Sequence, residues 1–557
     1  MRRVKAKAKE FTFGVYRRLP EATKDVVSKV AHGETDVQRW GAARLLEARA
    51  RIFGAKGEGD VLSGTLTSAR RAVQVDQFDA WGHVANLNSL TLAVLRDAGI
   101  PVYPLPNHIR PVLVVPDNRW DDAWAALADD ERLLTLWLRA GGSSTPVRGL
   151  KSAPTDDSAW IYQYVVSPNG LPLAGVGLRV RLLKGRLIED EAQSLEPGSL
   201  VLPRGSNSFG AFLSPAVQAA LMPVDAVEKW PRAMGEVIGD VDLVYTWVDG
   251  DDPEWLAKRQ AYEVGTQSTS DANLRARFVS RDELKYSLRS VEMYASWVNK
   301  IYLVTDAQVP SWLRTDHPKL TVVDHRELFS PEDLPVFNSH AIESRLHRIP
   351  GLSEHFIYMN DDVFFGRPIR PEVFFFGNGV TKFFPSKALI DPGPPAANDA
   401  AVTSAAKNNR ALIEDTFGRT FSAKLKHTPH AHLRSVLEEM EARYPEMFAA
   451  CAQARFRSHG DHALLSGLAQ RYGEATGRSA VGSIRYGYVD ISRPSIARLL
   501  NRWLRNRSFD SFCMNETGLF EVDEESRDEI VRQFLEDYFP VASGFEITEG
   551  TNVGVDG

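Results

Sequence analysis

From residue 241 onward, apolar runs of strand length alternate with helical stretches, and that order admits few folds. VDLVYTWVD (241–249), KIYLVTD (300–306), LTVVDH (320–325) and HFIYMNDDVFF (355–365) read as strands. RDELKYSLRSVEMYASW (281–297) and SHAIESRLHRI (339–349) read as helices; the first gathers Leu284, Leu288, Val291 and Ala295 on one face. A β-α-β order predicts a mostly parallel sheet with helices on both faces. Ligands of such sheets bind beyond the carboxyl ends of the strands. Asp249, Asp306, Asp324, Asp361 and Asp362 all fall there, so five carboxylates are expected on one rim.

The chain of 557 residues is long enough for further domains. Residues 1–60 are charged and helix-forming, and residues 61–232 mix helices with strands, as an α+β accessory domain would. VANLNSLTLAVLRDAGI (84–100) and WDDAWAALADDERLLTLWLRA (120–140) read there as amphipathic helices, and RPVLVVP, WIYQYVV and GLRVRLLKG as strands. A Pro-containing linker over 222–240 leads into the catalytic candidate at 240–540. From about residue 392 that region looks mainly helical, and 541–557 reads as a flexible Gly-rich tail.

A net charge of −6 argues against a wholly basic nucleic-acid binder. Two cysteines, Cys451 and Cys513, form no disulfide framework and fit a reducing compartment. No apolar run reaches the length of a membrane helix, and the first residues lack a secretory apolar core. A cytoplasmic protein is expected. Its first 18 residues carry seven Lys/Arg against one Glu, which could touch the inner face of the cell membrane or simply be solvated.

Adjacent carboxylates at the end of a buried strand repel unless something positive holds them. For Asp361 and Asp362 a hard divalent cation, shared with a substrate diphosphate, is one solution; an acidic turn is the plain alternative. Asp249 and Gly250 leave their strand in a turn where Gly permits close backbone approach. Arg281, Lys285 and Arg289 recur at i, i+4, either as ordinary helix-surface pairs or as a phosphate-holding column. Eight of the thirteen histidines lie between residues 340 and 462, in spacings that fit no common zinc pattern with Cys451. In RFRSHGDH (455–462), Arg457 can bind phosphate, and His459 with Asp461 reads as a base and its orienting partner. No G-x-S-x-G elbow, Walker loop or Rossmann glycine fingerprint occurs.

In order, these blocks closely resemble the Stealth family. DLVYTWVDGDDPEW, the long run from RDELKYSLRS to VPSWL, and FNSHAIESRLHRIPGLSEHFIYMNDDVFFG are similar to its first two conserved regions. HTPHAHLRSVLEEM with ARFRSHGDH resembles its third, and SFCMNETG its fourth, where Glu516 stands in place of the usual Asp. The family includes bacterial capsule and exopolysaccharide phosphotransferases, and the animal enzyme that places N-acetylglucosamine-1-phosphate on lysosomal glycoproteins. The resemblance implies a Rossmann-like α/β core, to which helical C-terminal additions and the α+β N-terminal domain would be appended. It also implies a UDP-sugar donor, Mg²⁺ or Mn²⁺, and transfer of hexose-1-phosphate to a saccharide hydroxyl with release of UMP. On that scheme Asp361 and Asp362 hold the metal, and Arg281, Arg289, Arg345 and Arg457 steady the phosphates. His459 or His340 takes the acceptor's proton, while Asp249, Asn338 and Asn515 shape the donor pocket. Two rivals share the resemblance: a metal-dependent glycosyltransferase attacking the sugar carbon, and a non-catalytic polysaccharide-binding protein.

Overall fold

The computed structural model describes residues 60–63, 70–105, 111–140, 143–175, 177–187, 201–202, 235–263, 278–493, 496–516 and 524–547. The basic N-terminal segment, most of the 222–240 linker and residues 548–557 lie outside these. Among the described residues, no helix is long and apolar enough to cross a membrane.

Strand β1 (Val241–Thr246) is buried almost throughout, as a central parallel strand requires. Helices α1 (Pro253–Glu263) and α2 (Glu283–Tyr294) follow, then β2 (Ile301–Thr305) and β3 (Leu320–Asp324). A short helix α3 (Ser339–Glu343) precedes β4 (His355–Asn360). These four strands are parallel in the order β3-β2-β1-β4, and β6 (His430–Leu433) closes the sheet antiparallel to β4. The sheet is therefore mixed, with its parallel part as expected. The chain moves outward from β1 through β2 to β3, then returns to the other side of β1, so the strand order reverses between β1 and β4.

The two-residue period of the strands sorts the core into two layers. Leu243, Tyr245, Leu303, Ile357 and Met359 pack with Leu284, Leu288 and Val291 of α2 on one face. Val244, Tyr302, Val304, Phe356 and Tyr358 pack on the other with Ala341, Leu437, Met440 and Leu468. Asp242, fully buried at the start of β1, accepts from Asn299 Nδ2 and the backbone N–H groups of Lys300 and Ser353.

The segment after residue 392 is less purely helical than its sequence suggests. It contributes α4 (Ala401–Phe417) and a last helix, here α5 (Glu524–Tyr538). It also contributes β6, β7 (Tyr486–Asp490) and β8 (Ser511–Asn515). Together with β5 (Val363–Phe365), β7 and β8 form a second sheet in the order β5-β8-β7. Strands of three to five residues carry too short a pattern to stand out from neighbouring helices. The expected tail boundary at 541 also moves: Phe545 and Glu546 are buried, because Glu546 pairs with Arg289 of α2.

The N-terminal region is α+β, with a mixed sheet under helices Ala80–Asp97 and Trp120–Asp129. The second helix stops eleven residues short of the expected Ala140, and Leu136–Ala140 is a strand instead. Leu136 and Leu138 face inward in alternation with Trp137 and Arg139, which is strand periodicity. Trp81 joins this region to the second: its Nε1–H donates to Tyr294 O at 3.1 Å and Ile369 O at 2.9 Å.

Candidate active site

The Asn360-Asp361-Asp362 run leaves β4 at the point where the strand order reverses, and Thr246 of β1 pairs with Asn360 across that boundary. The same turn opens the second sheet, where Met514 N–H of β8 donates to Asp362 O at 3.0 Å. The acidic pair thus sits where two sheets meet. Burial, then the charges of Asp362 and Glu283, push the Asp361 carboxyl well above its usual range. Asp362 Oδ1 lies 3.3 Å from His427 Nε2, and its Oδ2 lies 3.2 Å from Cys513 Sγ. Burial opposes the charge on His427, but Asp362 and Glu343 outweigh it and hold the imidazole above its ordinary pKa. Burial, and then Asp362, push the Cys513 thiol up. Beneath the pair, Tyr245 and Ser287 share a hydrogen bond of 2.7 Å, and Ser287 Oγ donates to Val363 O.

His427 and Cys513 were not singled out from the sequence as partners of Asp362. Their signal was present in HTPHAH and SFCMN, but the contact needs β8 and the turn before β6 to converge on β4. Glu283, the first residue of α2, is also buried, and its charge reaches Asp361.

The expected carboxylate rim divides. Lys258 Nζ holds Asp306 at 2.7 Å, and Asp324 caps the helix His325–Leu328 in a capping box. Asp249 stands just past β1, its Oδ1 accepting from Asp251 N–H at 3.0 Å. Gly250 is used as expected: its N–H donates to Phe278 O, and a Cβ there would lie 2.3 Å from that oxygen. Trp255, Phe337 and Phe456 form a small aromatic cluster beside this turn. Asn515 ends β8, with Nδ2–H donating to Tyr488 OH at 2.9 Å.

Three of the four arginines expected to bind phosphate are engaged with carboxylates elsewhere. Arg281 pairs with Glu516 at 2.6 Å and with Asp528 at 2.7 Å. Arg289 makes a bidentate contact with Glu546, both nitrogens at 2.8 Å. Arg345 pairs with Glu441 at 2.6 Å, which His347 and Arg348 also hold. Each guanidinium side chain is more than nine-tenths buried, where it requires a carboxylate partner. Arg457 lies closer to the acidic pair's surroundings, through His427. It donates to Ser339 Oγ at 2.6 Å, and its charge reaches both Tyr358 and His427.

The expected His459–Asp461 dyad is corrected. Asp461 Oδ2 lies 3.1 Å from His340 Nδ1 and accepts from Asn338 Nδ2–H at 2.9 Å, while His459 Nδ1 contacts Ser404 Oγ of α4 at 2.9 Å. Burial would raise the Asp461 carboxyl, but His340, Ser458 and Asn338 bring it below its usual range. Asn338 is 1% exposed and fully committed to Asp461 and two backbone carbonyls, so it braces this loop and has no free face for a donor. Cys451 lies beside Met447, with no histidine ligand among its described contacts.

The models of Stealth protein conserved regions 1, 2, 3 and 4 match residues 239–265, 277–383, 426–472 and 501–553, in that order. The chain is similar to the Stealth family in all four of its conserved regions. Asp249 lies in its first conserved region, Asp361 and Asp362 in its second, His427 and Arg457 in its third, and Cys513 in its fourth. All four regions therefore meet at the sheet junction. Among curated relatives, exopolysaccharide phosphotransferase SCO6023 of Streptomyces coelicolor is 49% identical over 310 residues, covering 56% of this chain and 53% of that protein. Exopolysaccharide phosphotransferase CpsY of Mycobacterium tuberculosis (H37Rv) is 41% identical over 331 residues, covering 57% and 61%. The chain spans little more than half the length of these relatives. Of solved structures, the galactosyltransferase LgtC matches 55% of this chain and 98% of its own at 11% identity, with a TM-score of 0.29. That likeness is too slight to carry an argument.

Proposed function

We propose that the protein is an exopolysaccharide or capsule phosphotransferase. It would move a hexose-1-phosphate from a UDP-sugar to a saccharide hydroxyl, forming a phosphodiester and releasing UMP. The observation that supports this most is the half-buried carboxylate pair at the β1–β4 reversal, with His427 in contact with Asp362 and the charge of Arg457 reaching His427. Phosphoryl transfer asks for positioning and charge neutralisation more than for covalent chemistry, and this edge offers both.

The residues suit a hard divalent cation. Asp361, Asp362 and Glu283 bring three carboxylates together; burial raises the Asp361 carboxyl most and the charges of Asp362 and Glu283 add to it, a repulsion that a cation would relieve. Asp361 and Asp362 are the residues that would hold Mg²⁺ or Mn²⁺, and the ion would supply charge neutralisation to the diphosphate. Arg457, steadied by Ser339, stabilises the phosphate oxygens. His427, in contact with Asp362, is assigned the acceptor hydroxyl's proton, in place of His459 or His340. His340 and Asp461 fix the loop that carries Arg457. Asp249 and Asn515 border the donor. A nucleotide-sugar donor agrees with a cytoplasmic location, and the basic N-terminal segment with contact at the inner membrane face.

The test is phosphorus NMR of the products after incubating the protein with Mg²⁺, a panel of UDP-sugars and a primed oligosaccharide. A diester resonance with UMP is expected. Release of UDP with a new glycosidic bond would assign the protein to the glycosyltransferases instead. No turnover with any donor would favour a binding protein.

A further inference from the structure

Asp362, His427 and Cys513 come from three distant stretches of chain: the end of β4, the turn before β6, and the middle of β8. Their carboxylate oxygen, imidazole nitrogen and thiol sulfur all lie within 4.8 Å of one another. The backbone fixes this meeting. Cys513 is the ladder partner of Val363, one residue past Asp362, and Met514 N–H is bonded to Asp362 O. The sulfur forms a fully buried floor, and the way in passes Asp362 and His427, whose side chains are 21% and 39% exposed.

The donor chemistry is mixed. Mg²⁺ takes oxygen ligands and has no use for a thiol, whereas Zn²⁺ accepts sulfur, nitrogen and oxygen together. Tetrahedral zinc, with metal–ligand bonds of about 2.0–2.3 Å, places its ligand atoms roughly 3.3–3.8 Å apart. Asp362 Oδ1 stands 3.3 Å from the imidazole and Oδ2 3.2 Å from the sulfur, and one ligand atom of each group lies within 4.8 Å of the others. Seating an ion draws the three side chains together by about 1 Å.

We propose that Asp362, His427 and Cys513 form a binding site for a thiophilic divalent cation of the Zn²⁺ class, with a fourth position open to water or a phosphate oxygen. On binding, the Cys513 S–H bond and any proton on His427 Nε2 are given up to solvent. The bound state is a thiolate, a carboxylate and a neutral imidazole around the ion, with no net charge. This inference rests on the proposed function in one respect: Asp362 and His427 serve both, so a Zn²⁺ ion seated here takes Asp362 away from the hard cation and His427 away from the acceptor's proton in the transfer reaction.

The experiment is a titration of the full-length, metal-free protein with Co²⁺ and then with Zn²⁺ against a chromophoric chelator, with no sugar donor present. One equivalent should bind, and Co²⁺ should give a thiolate-to-metal charge-transfer band that Zn²⁺ abolishes. Cys513→Ser should remove the band and weaken Zn²⁺ by at least ~100-fold, and His427→Ala should weaken it comparably. Cys451→Ser should leave the band in place. Absence of the band from the wild-type protein would overturn the proposal whether or not a variant folds. Zn²⁺ affinity unchanged in folded Cys513→Ser would do the same. Neither result depends on turnover, so the phosphotransferase assignment stands or falls separately.

Discussion

Arg281 Nη2 lies 2.6 Å from Glu516 Oε2, and both side chains are more than nine-tenths buried. Arg527 holds the same carboxylate, and Asp528 bonds both arginines. The entrance to α2 is thereby tied to the end of β8 and the start of α5. Two guanidiniums already balance the Glu516 carboxylate, so no metal is needed to hold it there.

Arg281→Ala is therefore expected to act on stability. It strands Glu516 and Glu283 with less positive charge in a buried setting, which costs about 3–5 kcal/mol. Urea unfolding measures this. A stability equal to wild type, with only the donor KM raised, would return Arg281 to a phosphate-binding role.

Asp361→Asn should separate stability from activity. An acid whose pKa is raised by folding holds its proton more tightly in the folded chain, so stability falls as pH climbs from the ordinary carboxylate value through the raised one. At neutral pH, in the presence of EDTA, the amide removes that repulsion. A thermal melt should show Tm higher by about 2–4 °C, equivalent to ~1 kcal/mol, while transfer activity is lost.

Glu441 gathers Arg345, His347 and Arg348. Burial opposes its charge, but His347 and Arg348 bring its pKa down to about 2. A depressed carboxyl stabilises the fold above its unfolded value, and that contribution is lost as pH falls from about 4.5 toward 2. Glu441→Gln should be less stable than wild type by roughly 1–3 kcal/mol at pH 7, after allowance for the half-exposed Arg348. In urea titrations the gap should close as pH drops below about 4.5.

Gly250→Ala would place a methyl 2.3 Å from Phe278 O and displace the turn that carries Asp249. Misplacement of this order near reacting groups lowers rates by about 100-fold. The check is kcat/KM beside a circular-dichroism melt, with the melt expected to move far less than the rate.

The parallel core, the amphipathic face of α2 and the carboxylates beyond β4 were legible in the sequence because each follows from local periodicity. Gly250 was legible too, since a glycine between acids at a strand end has few other uses. The fate of the arginines was not. Arg289 finds Glu546 across 257 positions and Arg345 finds Glu441 across 96, and no spacing rule foretells which buried carboxylate a guanidinium will take. Asp461 shows the same limit on a smaller scale: His459 is two residues away, yet the imidazole it meets is His340, brought in by α3. Leu136–Ala140 failed for another reason. Its alternation begins directly after a helix, and the apolar count alone fits either period.

The central claim is that the Asp361–Asp362 edge performs phosphoryl transfer, and it is tested most directly by UMP release from UDP-sugar donor and primed acceptor in Asp362→Ala, compared with wild type at equal folded concentration. UMP and phosphodiester are expected from the wild type, and near-complete loss from the variant, whose melting curve stays cooperative. A folded Asp362→Ala protein that still releases UMP at the wild-type rate would contradict it.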